Sequence, residues 1–157
     1  MSDALYPQFL RDPECTSCPL HAQCLSVCIP TVPLGDYPTV PKPIALLILG
    51  EAPGSHEDTQ CRPFVGPAGK VLRGWLSSTS LSNVADIYLG NVVRCRPPHN
   101  ATPSPKQVSS CRPHLLSDLE VLRTRYKEVV LLLLGATATR SILGLSLTDS
   151  FRHQGIP

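Results

Sequence analysis

A chain of 157 residues has room for one domain around a single core, and a hydrophobic content of 42% excludes an intrinsically disordered polymer. The formal net charge of +2 does not by itself announce a nucleic-acid binder, although a local basic patch would suffice for one. The longest apolar runs, Ile44–Leu49 and Val129–Leu134, are too short to cross a bilayer, and Met1-Ser2-Asp3 opens no signal peptide, so a cytoplasmic protein without a membrane partner is expected.

Residues 1–40 form a lead-in rich in cysteine and proline, with weak periodicity. The chain holds 17 prolines, roughly twice the usual ~5%, concentrated before Lys42 and between Pro97 and Pro113, so both stretches are expected to wrap a core as loops. Ile44–Gly50 is apolar without polar alternation, the pattern of a parallel strand covered on both faces. Glu51–Pro67 is rich in glycine, proline and charge and reads as a loop. Ala68–Leu76 carries Val71, Leu72, Trp75 and Leu76 at helical spacing.

Asp86–Val93 reads as a second strand and Pro97–Pro105 as a loop. Pro105–Leu122 is a helix expected to be interrupted near Pro113. Glu128–Leu134 is a third buried strand, ending in Gly135 and leading into a short helix over Ala136–Leu143. Strands alternating with helices predict an α/β fold, a three-layer α/β/α sandwich around a central parallel sheet. The crevice at the carboxyl ends of such strands is where a ligand binds, so the loops after Gly50, Val93 and Gly135 are expected on one face.

Seven cysteines are many for an intracellular chain, where stable disulfides are not sustained, and they point to metal. Cys15-x-x-Cys18 is a two-ligand hook. Cys95 and Cys111 flank the proline-rich loop and would complete a long-range quartet, while Cys24 and Cys28 would close a local one with the hook. Four thiolates serve a 4Fe–4S cluster or a structural zinc, and spacing leaves both quartets and both metals open. In the loop after the first strand, Arg62-Pro63-Phe64-Val65-Gly66 presents an aromatic ring on a rigid turn just before a helix. That position suits stacking on a nucleobase, and equally suits an ordinary core phenylalanine.

Three features together resemble the family-four, thermophile-type uracil-DNA glycosylases. They are Gly50-Glu51-Ala52-Pro53-Gly54 running through Glu57-Asp58 to Arg62–Gly66 and Ala68-Gly69; Gly90-Asn91-Val92-Val93-Arg94-Cys95-Arg96-Pro97-Pro98 with Asn100 and Pro103; and the cysteine pattern closing at Cys111. The likeness runs from about Cys15 to about Leu143. It implies a single glycosylase-like domain over residues 1–157, with a sheet of about four strands in the family, and a monomer acting on uracil-containing DNA. It also implies a 4Fe–4S cluster on Cys15, Cys18, Cys95 and Cys111, with Cys24 and Cys28 as extra thiols. Gly50, Glu51 and Ala52 would line a uracil pocket, Phe64 would stack on the ring, and Asn91 would read its polar edge. Lys70, Arg94 and Arg96 are the expected phosphate contacts, and Glu57 the expected catalytic carboxylate beside the sugar.

The chain shares with family four one difference from the superfamily's best-known branch and departs from the family's own pattern in three places. Ala52 stands where the best-known branch of the superfamily has aspartate. Cys61 replaces a usual glycine, which would strain the loop if the position needs positive φ. Ala101 follows Asn100 where arginine is common. The family's His-Pro-Ser motif, whose histidine donates to a uracil oxygen, lies beyond the region matching Arg152–Gly155. None of His21, His56, His99, His114 and His153 sits in it, so a chain lacking one strand and one catalytic donor is expected. A catalytically weak DNA- or base-binding module and a zinc-binding structural protein are the alternatives.

Overall fold

The structure, a computed structural model, describes residues 9–144. The segment matching Arg152–Gly155, the end at Pro157 and the expected loss of a strand there lie outside the described residues.

Four strands form one sheet in the order β1-β3-β2-β4, where β1 is Val32–Pro33, β2 Ile44–Gly50, β3 Ala85–Asn91 and β4 Glu128–Leu133. Strands β2, β3 and β4 are parallel, as their uninterrupted apolar sequences predict. The sheet is mixed rather than wholly parallel, because β1 runs antiparallel with Val32 opposite Leu89. Two residues arriving from the lead-in need no crossover helix to pair this way, and they cover an edge that β3 would otherwise expose.

Helices lie on both faces. On one, Leu46 and Ile48 of β2 and Ile87 and Leu89 of β3 pack with Leu72 and Leu76 of α2 (Pro67–Ser77). On the other, Ala45, Leu47 and Leu49 meet Leu115, Leu119 and Leu122 of α4 (Pro105–Arg125) and Ala138 of α5 (Ala136–Leu143). The alternation of neighbouring β2 residues between two cores is the period of a strand buried on both sides.

Two helices appear where a loop or nothing regular was expected. The first, α1 (Ser55–Gln60), lies within the Glu51–Pro67 stretch, and the second, α3 (Leu81–Val84), precedes β3. Helix α4 is continuous through Pro113 rather than interrupted there. Pro113 and Ser109, whose carbonyl the proline leaves without its helical partner, both face solvent, so water can satisfy the group. The buried stripe Cys111, Leu115, Asp118, Leu119 and Leu122 holds the helix on the sheet.

The parallel register sets Gly50 directly beside Asn91 at the carboxyl ends of β2 and β3. The pairing continues past the strands, with Val92 N–H donating to the Gly50 carbonyl and Val93 N–H to the Glu51 carbonyl, each at 3.0 Å.

Candidate functional site

A cleft of about 420 Å³ opens at these strand ends, lined by Glu51, Ala52, Phe64, Asn91, Asn100 and Ala101 among others. Its floor depends on Gly50. A Cβ there would lie 2.6 Å from Asn91 Oδ1 and 2.8 Å from Phe64 Cζ, so only glycine lets the amide and the ring approach the strand this closely. Asn91 is 8% exposed, and its carboxamide hydrogen-bonds to none of the described residues. It therefore holds a donor and an acceptor free beside an aromatic ring. The five residues expected at a base pocket, Gly50, Glu51, Ala52, Phe64 and Asn91, are thus brought together.

Two carboxylates shape the loop that carries Phe64. Glu57 accepts from the backbone N–H of Gly54 (3.1 Å), Val65 (3.0 Å) and Gly66 (2.8 Å), bracing both ends of the loop at once. Asp58 is buried and accepts from the backbone N–H of Leu25 (3.0 Å) and Ser26 (2.8 Å), while its carbonyl receives the Ser26 hydroxyl at 2.6 Å. One acid fastens the pocket loop to itself and the other fastens it to the cysteine-rich lead-in. Glu57, expected as a catalytic group, accepts from three main-chain amides, two on Oε1 and one on Oε2, and braces the Phe64 loop.

Strain concentrates here. Cys61 and Phe64 have φ of 53° and 55°, the left-handed region that costs a non-glycine residue roughly 1–2 kcal/mol. The glycine usual at position 61 in the resembled family would carry no such cost. Gly69 is needed for space rather than for φ, because a Cβ there would lie 2.0 Å from the Phe64 carbonyl oxygen. Gly69→Ala is expected to destabilise the protein by about 1–3 kcal/mol through overpacking, measured by urea denaturation.

The third strand end contributes a residue that sequence reasoning missed. Thr137, in the first turn of α5, donates its hydroxyl to Glu51 Oε2 at 2.5 Å and ties the β4 loop to the cleft. The rule that strand carboxyl ends share one face places Gly135 near the cleft, but nothing in Ala136-Thr137-Ala138 singles out the hydroxyl.

The expected basic contacts separate. Lys70 is exposed on the first turn of α2, next to the cleft-lining Pro67–Gly69. Arg96 is half-buried and donates through Nε to Asn100 Oδ1 at 2.8 Å, steadying a residue of the rim. Arg94 does not reach the surface. It is 2% exposed and ion-paired with buried Asp118 of α4, which also receives the Thr31 hydroxyl. The Val92–Arg96 segment turns this side chain inward, under the cysteines, and away from any phosphate.

Six cysteines gather behind the cleft. Cys95 and Cys111 are buried, with Cys18 and Cys24 packed against the same core. The sulfurs differ in how they bond. Cys95 Sγ accepts the Cys28 N–H at 3.3 Å and Cys111 Sγ accepts the Arg94 N–H at 3.4 Å, as thiolates do. Cys24 donates its S–H to the carbonyls of Ser26 (3.5 Å) and His21 (3.9 Å) while its sulfur also accepts the Arg96 N–H, and Cys15 donates to the Ser17 hydroxyl at 3.5 Å. Burial pushes Cys95 up to about 12 and Cys111 up to about 11, so a cation is required to hold either as thiolate at neutral pH. Arg94 Nη1 is buried without a hydrogen-bond partner among the described residues, and its guanidinium lies beside Cys28. Cys15 Sγ is 3.5 Å from His114 Nε2.

The family profile described as the uracil DNA glycosylase superfamily matches residues 37–156. The type-4 uracil-DNA glycosylase of Thermotoga maritima is 38% identical over 128 residues, covering 82% of this chain and 60% of that protein. The enzymes of the same name from Pyrobaculum aerophilum and Archaeoglobus fulgidus are 40% and 41% identical, each over 64% of this chain and 50% and 48% of their own lengths. The chain thus spans between about half and 60% of the length of these curated relatives.

Proposed function

The chain belongs to the uracil DNA glycosylase superfamily, and on that premise we propose that it hydrolyses the N-glycosidic bond of uracil in DNA, after the type-4 manner of its relatives. The observation that carries the reading is Asn91: a largely buried residue whose carboxamide opens on the cleft with no partner among the described residues, beside the Phe64 ring and over the glycine at a strand end.

Uracil cannot be reached within a duplex, so the base is flipped into the cleft. Phe64 supports its face. Asn91 offers one donor and one acceptor to a uracil carbonyl and the adjacent ring N–H, and cytosine's amino group would leave buried polar atoms unpaired. As the bond breaks, negative charge grows on the base, and the Asn91 N–H is a fixed donor for a uracil oxygen. Glu57 contributes by holding the Phe64 loop. Lys70 and Arg96 supply positive charge at the rim for phosphates.

We further infer a 4Fe–4S cluster on Cys15, Cys18, Cys95 and Cys111. This ligand set follows the cysteine pattern of the resembled family, and Cys95 and Cys111 are buried with Cys18 packed against the same core, which favours the long-range quartet over the local one. The cluster would supply a cross-link between the lead-in, the segment after β3 and α4. Iron and acid-labile sulfide in equal amounts are expected on analysis, and zinc alone would refute the assignment.

The direct test uses single- and double-stranded oligonucleotides carrying one deoxyuridine. Excision is expected with uracil and not with cytosine or thymine, and Phe64→Ala should lower kcat/KM by about 10-fold or more, given the ~1–3 kcal/mol that base–aromatic stacking contributes. Binding to uracil-DNA without excision would favour the weak-binding reading. The absence of both excision and selective binding would overturn the proposal.

A further inference from the structure

We propose that His114 is a hydrogen-bond donor to the Cys15 thiolate and so tunes the reduction potential of the iron–sulfur centre. The proposal rests on the cluster reading above and adds to it a side chain that the ligand pattern does not contain.

Helix α4 carries Cys111 and His114 three residues apart, hence on one face, so the element that supplies one cluster thiolate aims an imidazole at the same centre. His114 is half-buried, and its Nε2 stands 3.5 Å from Cys15 Sγ, a normal separation for N–H···S. A thiolate bound to iron has no proton of its own, so the bond can run only from Nε2–H to sulfur. The carboxylate of Asp12 converges on the same point, with one of its oxygens, Cys15 Sγ and His114 Nε2 all within 4.8 Å of one another. From the other side, Arg94 donates through Nη2 to the His114 carbonyl at 3.3 Å and fixes this turn of α4.

The donors at the three sulfurs differ in kind. Cys95 and Cys111 receive backbone N–H groups, which any sequence would supply. At Cys15 the neighbours are side chains, the His114 imidazole and the Ser17 hydroxyl at 3.5 Å, so this corner is set by residue identity, and of the two only the imidazole comes from the helix that carries Cys111. A hydrogen bond draws electron density from a ligating sulfur and favours the more negative, reduced core, which raises the potential.

The test uses holo-protein purified without oxygen. Iron and sulfide are counted first, the potential is then measured by protein-film voltammetry, and the Fe–S(Cys) stretches by resonance Raman spectroscopy. His114→Phe and His114→Leu remove the donor, and His114→Gln keeps a side-chain N–H. Both apolar variants are expected to stay loaded, with a potential shifted to more negative values and Fe–S(Cys) stretches shifted upward, while His114→Gln stays near the parent protein. An unchanged potential in the loaded apolar variants would overturn the proposal, and so would an equal shift in His114→Gln. Iron loss from both apolar variants, with Cys15→Ala still loaded, would overturn it in favour of direct ligation by His114. A parent protein without iron would instead refute the cofactor assignment itself.

Discussion

Arg94→Ala should cost about 3–5 kcal/mol of folding stability, the usual penalty for leaving one member of a buried ion pair alone. Arg94 and Asp118 are both almost wholly buried, and among the described residues the only other side chain hydrogen-bonded to the Asp118 carboxylate is the Thr31 hydroxyl. Water cannot replace the guanidinium without opening the packing between α4 and the Val92–Arg96 segment. The loss is a large fraction of the ~5–15 kcal/mol that holds a typical domain folded, so the variant should unfold at a much lower urea concentration. An Arg94→Met, Asp118→Leu pair should recover much of the loss, because an apolar replacement of similar volume leaves no charge stranded. If Arg94 instead served the DNA backbone, the single variant would keep its stability and bind DNA with a smaller salt dependence.

Asn91→Ala should behave in the opposite way. The carboxamide has no hydrogen-bond partner among the described residues, so its removal should change stability by less than about 1 kcal/mol. Its loss from the cleft should lower kcat/KM for uracil excision by about 10²–10³-fold, the usual effect of removing one preorganised donor to a developing anion. Urea denaturation and single-turnover excision on the same preparation separate the two effects. A stable protein with undiminished excision would remove Asn91 from the base pocket, and with it the observation on which the functional reading stands.

Much of this arrangement was legible in the sequence, for physical reasons that differ by element. Strands β2, β3 and β4 announce themselves because a strand covered on both faces must be apolar throughout. Their carboxyl ends then direct attention to Gly50 and Asn91, which the register makes neighbours. Helix α1 was invisible because Ser55-His56-Glu57-Asp58-Thr59-Gln60 has no apolar stripe. It is anchored by two acids whose partners are main-chain amides up to 33 residues away. Strand β1 is two residues long and includes a proline, too little for any periodicity.

Two charged residues were hard to place from sequence for one cause. An arginine beside a loop motif looks like a phosphate ligand, and an acid beside a cleft looks like a catalyst, until the partner that neutralises each is known. For Arg94 that partner is Asp118, 24 residues on; for Glu57 it is a ring of N–H groups that carries no sequence signature. The cysteines show a further limit. Spacing could not choose between two quartets, because the burial of Cys95 and Cys111 in one core is a tertiary fact with no local signature.

The anchor at Asp58 also bears on how this protein can diverge. Asp58 holds the lead-in through the peptide N–H groups of Leu25 and Ser26, and the Leu25 side chain is 79% exposed. Position 25 can therefore drift through almost any residue except proline without disturbing the joint, because every other amino acid presents the same amide. Position 58 has no such latitude: asparagine would turn an amide donor toward one of the two N–H groups, and glutamate would overreach by a methylene. Among descendants of this chain, variation should accumulate freely on the outer side of the seam and stop at its inner one.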